Sequence, residues 1–135
     1  MVDSGVVKEW LDKADEDFLF ASSYIEDKDQ FFCQICFHFH QAAEKYLKTF
    51  IVAEELGFEK IHDLLKLLKV CQSKEPSLSN LREDCKLLNP FYIETRYPVH
   101  WPTHYTREEA LNAQEAVKRI AESIKAMFRI ETRKD

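Results

Sequence analysis

Apolar side chains recur along this chain at three- and four-residue steps, which is the period of a helix with one buried face. Val7, Trp10, Leu11, Ala14, Phe18, Ala21 and Ile25 form such a stripe and predict a helix over about residues 6–26, closed by Asp27-Lys28-Asp29. Ile35, Phe39, Ala42, Ala43, Tyr46, Leu47 and Phe50 predict a second helix over about 30–56, with Gly57 as its C′ residue. A helix of that length spans roughly 40 Å. A shorter third helix is expected over 61–72. A fourth, capped by Ser77 or Asn80, carries Leu81, Cys85 and Leu88; Asn80 and Glu83 have capping-box spacing. Pro90 is expected to end or kink that helix. Thr106-Arg107-Glu108-Glu109 then starts the last one, whose core face reads Ala110, Ala113, Val117, Ile120, Ile124 and Met127.

Only two glycines and four prolines punctuate the 135 residues, too few for the turns of an all-β fold. The expected fold class is therefore all-α, an up-and-down bundle of about five helices in a single domain over 1–135. One stretch breaks the pattern. Between Asn89 and Thr106 the chain carries Pro98 and Pro102 with Arg96, His100, Trp101 and His104, and an irregular span of that length inside a bundle is commonly functional.

Charge narrows the function classes. The formal net charge is −5, and residues 1–30 alone hold nine acids against three bases. The first helix is thus acidic, and no basic slab exists to bind nucleic acid by counterion release alone. A local positive patch for a nucleotide or a defined RNA site remains compatible with this balance. No run of 18 apolar residues and no signal-peptide pattern occurs, so a cytosolic location is expected, with no membrane partner. Cys33, Cys36, Cys71 and Cys85 are then reduced thiols. Cys33 and Cys36 form a CxxC, but Phe31, Phe32, Ile35, Phe37 and Phe39 around them read as an apolar helix rather than a metal knuckle. His100-x3-His104 has the i,i+4 spacing of a zinc pair, yet the flanking prolines disfavour a helix there, so no metal and no cofactor is expected.

Four segments in order resemble one family, the HEPN domains. Trp10-Leu11-Asp12-Lys13-Ala14 with Asp17-Phe18 resembles their opening helix. The run Cys36 to Lys48, containing Gln41-Ala42-Ala43-Glu44-Lys45-Tyr46-Leu47-Lys48, resembles the QAAEKxLKA core of their second helix. His62-Asp63-Leu64 resembles their THDL-like third-helix start, and Arg96-Tyr97-Pro98 the RYP of many prokaryotic members. The resemblance implies a helical bundle that usually homodimerises. It also implies a small nucleotidyltransferase as partner, in a toxin–antitoxin-like pair, and many members are metal-independent ribonucleases. Their signature is an arginine, four to six residues, then a histidine. Here three residues separate Arg96 from His100 and seven separate it from His104.

The primary expectation is accordingly a nucleotide- or RNA-associated domain with Arg96, Tyr97, Lys45, Lys48 and Glu44 as phosphate or nucleotide contacts and no required catalysis. The alternative is a ribonuclease in which Arg96 steadies the phosphorane and His100 or His104 moves the proton. A purely structural interaction module is the third reading. Each residue also has a plainer role. His38, Gln41, Glu44, Lys45 and Lys48 can be a solvated face or an interhelical ion pair, and His62 a cap or core contact. Phe91, Tyr92, Tyr97, Trp101 and Tyr105 can stack a base or seal a dimer seam. The N-terminus of the last helix is discounted as a phosphate site, because Glu108 and Glu109 occupy its first turn.

Overall fold

The computed structural model describes residues 2–27, 30–57, 60–94 and 105–133. Among these residues six α-helices follow one another: α1 (Ser4–Asp27), α2 (Phe32–Ala53), α3 (Leu64–Lys74), α4 (Arg82–Leu88), α5 (Pro90–Glu94) and α6 (Arg107–Arg133), with a 3-10 helix at Pro76–Leu81. The result is the expected all-α up-and-down bundle, built on five longer helices plus the one-turn α5. The described residues contain no strand. None of their helices is long and apolar enough to cross a membrane.

The long α2 is the central element, packed between α1 and α6 with α3 alongside. Its apolar stripe explains this position, since Ile35, Phe39, Ala42, Ala43, Leu47 and Ile51 are all essentially inaccessible to water. Alanines at 14, 21, 42, 43, 110, 113 and 116 are buried without remainder, which lets helix axes approach closely. Cys36, Cys71 and Cys85 fill the same core as small apolar groups, and burial pushes each thiol up to about 12.

Polar clamps fix the register of the long helices. Arg119 on α6 grips Asp84 on α4 with Nε and Nη2, at 3.0 and 2.8 Å to Oδ1. Tyr46 donates its hydroxyl to Asp15, which also meets Lys125 at 2.8 Å. The last helix starts as its sequence predicts: Thr106 N–H donates to Glu109 Oε1 at 3.1 Å, and Glu109 N–H donates to Thr106 Oγ1 at 3.2 Å, a reciprocal capping box.

Four local expectations are corrected. Helix α2 stops at Ala53, and Gly57 is not its C′ residue; Glu55 adopts the left-handed conformation there (φ 55°). Leu56 N–H donates to Ile51 O and Glu55 N–H to Val52 O, the two bonds of a Schellman end, and Leu56 then packs on the core. The contact made by Leu56 sets where the helix ends, ahead of the glycine. Glu55→Gly is expected to raise stability by about 0.5–1 kcal/mol through relief of the left-handed cost. Gly57→Ala, facing open space, is expected to change little in the same urea melts.

Neither Ser77 nor Asn80 caps the fourth helix. Pro76 begins a 3-10 segment that runs straight into α4, so no exposed helix start remains at Asn80, and Ser77 Oγ donates instead to Glu75 Oε1 at 2.8 Å. The cap of α3 is Asp63, accepting from Leu65 N–H at 2.9 Å and Lys66 N–H at 3.3 Å, which leaves His62 for another task. Finally, residues 90–94 of the expected irregular span are helical. Pro90 suits a first helical position, and the Asn89 side chain ties this corner to α3: its Oδ1 accepts from Leu64 N–H at 2.8 Å and its Nδ2 donates to Asp63 at 3.0 Å.

Candidate functional site

Positions 37, 40, 41, 44 and 48 lie along one stripe of α2, because steps of three and four residues return to the same helix face. The chain that leaves α2 turns back and lays His62 over this stripe, and α5 brings Tyr92 over it from the other side. His62 Nδ1 stands 3.1 Å from Glu44 Oε1, and Lys48 Nζ donates to Glu44 Oε2 at 3.0 Å. The Glu44 carboxylate therefore joins an ammonium and an imidazole, one on each oxygen. Glu44 is 5% exposed and Lys48 8%, so this is a buried pair and not the solvated face that the sequence also allowed.

Aromatic rings close the cluster. Tyr92 stacks on His62 with centroids 4.5 Å apart and planes inclined by 12°. Its other neighbours are His40, at 5.3 Å, and Phe37, at 6.3 Å. His40 is fully buried; its Nδ1 meets Gln41 Oε1 at 3.3 Å and its Nε2 makes no hydrogen bond. Burial pushes the His40 pKa below the usual imidazole value, with the Glu44 carboxylate opposing the shift only in part. His40 is accordingly a neutral ring that backs Tyr92.

The structure brings together Glu44 and Lys48 of the sequence-derived site and separates Lys45 from them. One residue along the helix is a rotation of about 100°, and it turns Lys45 toward α1, where it meets Asp17 at 2.5 Å. His38 faces the same aspartate at 3.5 Å. Lys45 thus makes the interhelical ion pair that was its plainer reading. Arg96, Tyr97, His100 and His104 lie outside the described residues, as do Pro98, Trp101 and Pro102. The two ends of the segment that carries them are well placed. Tyr92 sits in the cluster, and Phe91 beside it is 7% exposed and packs edge-on against Tyr105 at 5.1 Å.

Sequence reasoning did not include His62 in the site. The signal was present: a histidine next to an Asp that can cap leaves the histidine available, and Glu44 was already singled out on the neighbouring helix. What sequence could not supply was the pairing across 18 positions.

A groove of about 390 Å³ lies elsewhere, between α1, α2 and α6. Asp15 and Lys125 on its wall neutralise each other, so its size does not make it an anion site. Among the described residues no group of three or more His, Cys, Asp or Glu side chains is gathered as a metal site would require.

The profile of the HEPN domain family matches residues 7–127. The fold is similar to that of TT1696 from Thermus thermophilus, with a TM-score of 0.78, 29% identity, and coverage of 89% of this chain and 96% of that one. It is also similar in fold to ST0689, an archaeal HEPN homologue, with a TM-score of 0.72, 22% identity, and coverage of 90% and 96%. No curated protein matches the chain significantly.

Proposed function

Because the chain belongs to the HEPN domain family, we propose that it binds a nucleotide or an RNA through phosphate, at the cluster of Glu44, Lys48, His62 and Tyr92. The observation that carries this reading is the shared carboxylate: Lys48 and His62 are held together on Glu44, and His62 keeps a side chain 42% exposed. Glu44 balances the Lys48 ammonium, so in this reading the positive charge for a phosphate comes from Arg96, with the His62 imidazole as a hydrogen-bonding group beside it. Arg96 and Tyr97 join it in this reading. Four peptide steps separate Tyr92 from Arg96, so the arginine backbone is tethered within about 14 Å of the stack.

The working unit in this reading is a homodimer paired with a small nucleotidyltransferase, in a toxin–antitoxin-like arrangement. Two features support it. Leu19 (64% exposed), Phe20 (47%) and Tyr24 (36%) leave α1 with apolar and aromatic area suited to a protein contact. The acid excess of residues 1–30 suits a basic partner surface.

Binding is tested by fluorescence anisotropy with a labelled single-stranded RNA and with nucleoside monophosphates as competitors. Arg96→Ala and Lys48→Gln are each expected to weaken binding roughly tenfold, the scale of one lost charge-assisted contact. Wild-type protein that shows no saturable binding to either class of ligand contradicts the proposal. Co-expression with the neighbouring gene product and sedimentation of the purified chain test the partner and the dimer.

A further inference from the structure

A sealed imidazole with an unmet nitrogen calls for a reason, because a leucine fills a similar space with no polar group to desolvate. His40 is such a ring: it is 0% exposed, and among the described residues its Nε2 makes no hydrogen bond. Tyr92 packs on it at 5.3 Å, and His62 stacks on Tyr92 at 4.5 Å with 42% of its side chain exposed. The rings therefore pass from dry core to solvent in two steps. Tyr92 belongs to α5, a single turn of five residues, and His62 to the connection between α2 and α3. On α2 itself Gln41 Oε1 stands 3.3 Å from His40 Nδ1, and Glu44 lies one helical turn on. Among these described groups Glu44 carries the negative charge, and its two oxygens already meet Lys48 and His62. A protonated His40 is thus an imidazolium held out of water with no carboxylate oxygen left for it. Burial accordingly pushes its pKa below 6.5; the Glu44 carboxylate, the Gln41 amide and the His62 backbone oppose that shift in part, and the His62 ring adds to it.

We propose that His40 is a proton-operated latch: a proton on its ring releases Tyr92 and α5 from α2 and so takes apart the cluster around Glu44, Lys48 and His62. The charged ring needs water, and the thinnest cover over it is the half-buried Tyr92 on its one-turn helix. With α5 docked the ring resists protonation. With α5 released it meets water and titrates near 6.5, as an ordinary histidine does. The released state therefore binds the extra proton. Docking is at full strength above about pH 6.5 and weakens by up to about tenfold for each pH unit below it, until the docked ring protonates as well. Release also strips His62 of its stacking partner, so acidification switches the cluster off. That consequence rests on the binding reading above, whereas the docking of α5 is a property of the chain and is measured without ligand.

The test is an NMR titration of the full chain, with isotope-labelled aromatic and histidine rings, from about pH 8 to about pH 5. Wild type is expected to show Overhauser contacts between the His62 and Tyr92 rings at the upper end and to lose them as His40 titrates. The contacts between Phe18 and Phe39, 5.8 Å apart in the core, persist throughout. His40→Leu cannot take the proton and keeps the His62–Tyr92 contact across the range. His40→Gln, equally unable to titrate there, serves the same purpose should the leucine variant fail to fold. A His62–Tyr92 contact that survives in wild type to the lowest pH overturns the latch. So does one that vanishes at the same pH in the His40 variants. Simultaneous loss of the Phe18–Phe39 contact also overturns it, because the whole domain is then unfolding. Release of α5 as expected, in a chain that binds neither RNA nor nucleotide, keeps the latch and removes the binding reading.

Discussion

Glu44→Ala is expected to destabilise the protein by about 3–5 kcal/mol, the cost of breaking a buried ion pair from one side. The carboxylate is 5% exposed and Lys48 8% exposed, so the variant takes the Glu44 partner from an almost fully desolvated ammonium. His62, being half-exposed, can turn to water and contributes less to the loss. The double variant Glu44→Leu, Lys48→Leu removes both charges and is expected to recover most of the stability, because apolar groups of similar size replace a buried pair at little net cost. On the proposed function, RNA binding is expected to remain weakened in the double variant even where stability returns. Urea melts on the two variants separate the charge effect from the loss of side-chain volume. A single-variant loss below about 1 kcal/mol shows that the carboxylate is not buried as described.

Phe39→Ala is expected to cost about 3–5 kcal/mol, roughly 10–15 °C in Tm for a chain of this size. Phe39 is fully buried near the centre of α2, 5.8 Å from the Phe18 ring across the α1–α2 contact, so truncation leaves a cavity in a close-packed interior. Phe20→Ala provides the contrast. That ring is 47% exposed on the outside of α1, against Tyr24 and His38, and its removal is expected to change stability by no more than about 1 kcal/mol. Thermal melts of the two variants distinguish a core phenylalanine from one available to a partner. Equal losses would contradict the burial pattern.

The local departures from expectation share a cause. Gly57 looked like a helix end because glycine tolerates the left-handed region, yet the end is set by where Leu56 can reach the core, and Glu55 accepts the strained conformation. Asn80 looked like a cap because of its spacing to Glu83, yet a cap is useful only where backbone N–H groups are exposed, and the 3-10 segment removes that need. Asn89, which carried no local signal, is instead the residue that joins α3 to the α4–α5 corner, through bonds to Leu64 and Asp63, 25 and 26 positions away. Propensity describes a segment by itself. These outcomes depend on what the segment packs against.

The candidate site divides along the same line. Glu44 and Lys48 could be picked out from the i,i+4 spacing on α2, because helical geometry alone makes them neighbours. Lys45 could not be separated from them without knowing which direction α1 occupies, and Asp17 supplies that answer. His62 could be read only as a cap or a core contact, and the structure gives the cap to Asp63.

The order of apolar steps was sufficient to define the five longer helices and their inward faces, since burial of a stripe at a period of 3.6 admits few other arrangements. The motif order likewise sufficed for the family. Which polar side chains share a carboxylate was decided by tertiary structure alone. Glu44, His62 and Tyr92 come from three elements, and only the docking of α3 and α5 on α2 brings an imidazole, a phenol ring and a carboxylate within a few ångströms. Side-chain chemistry is written in the sequence, but the proximity that lets two groups act as one is a property of packing.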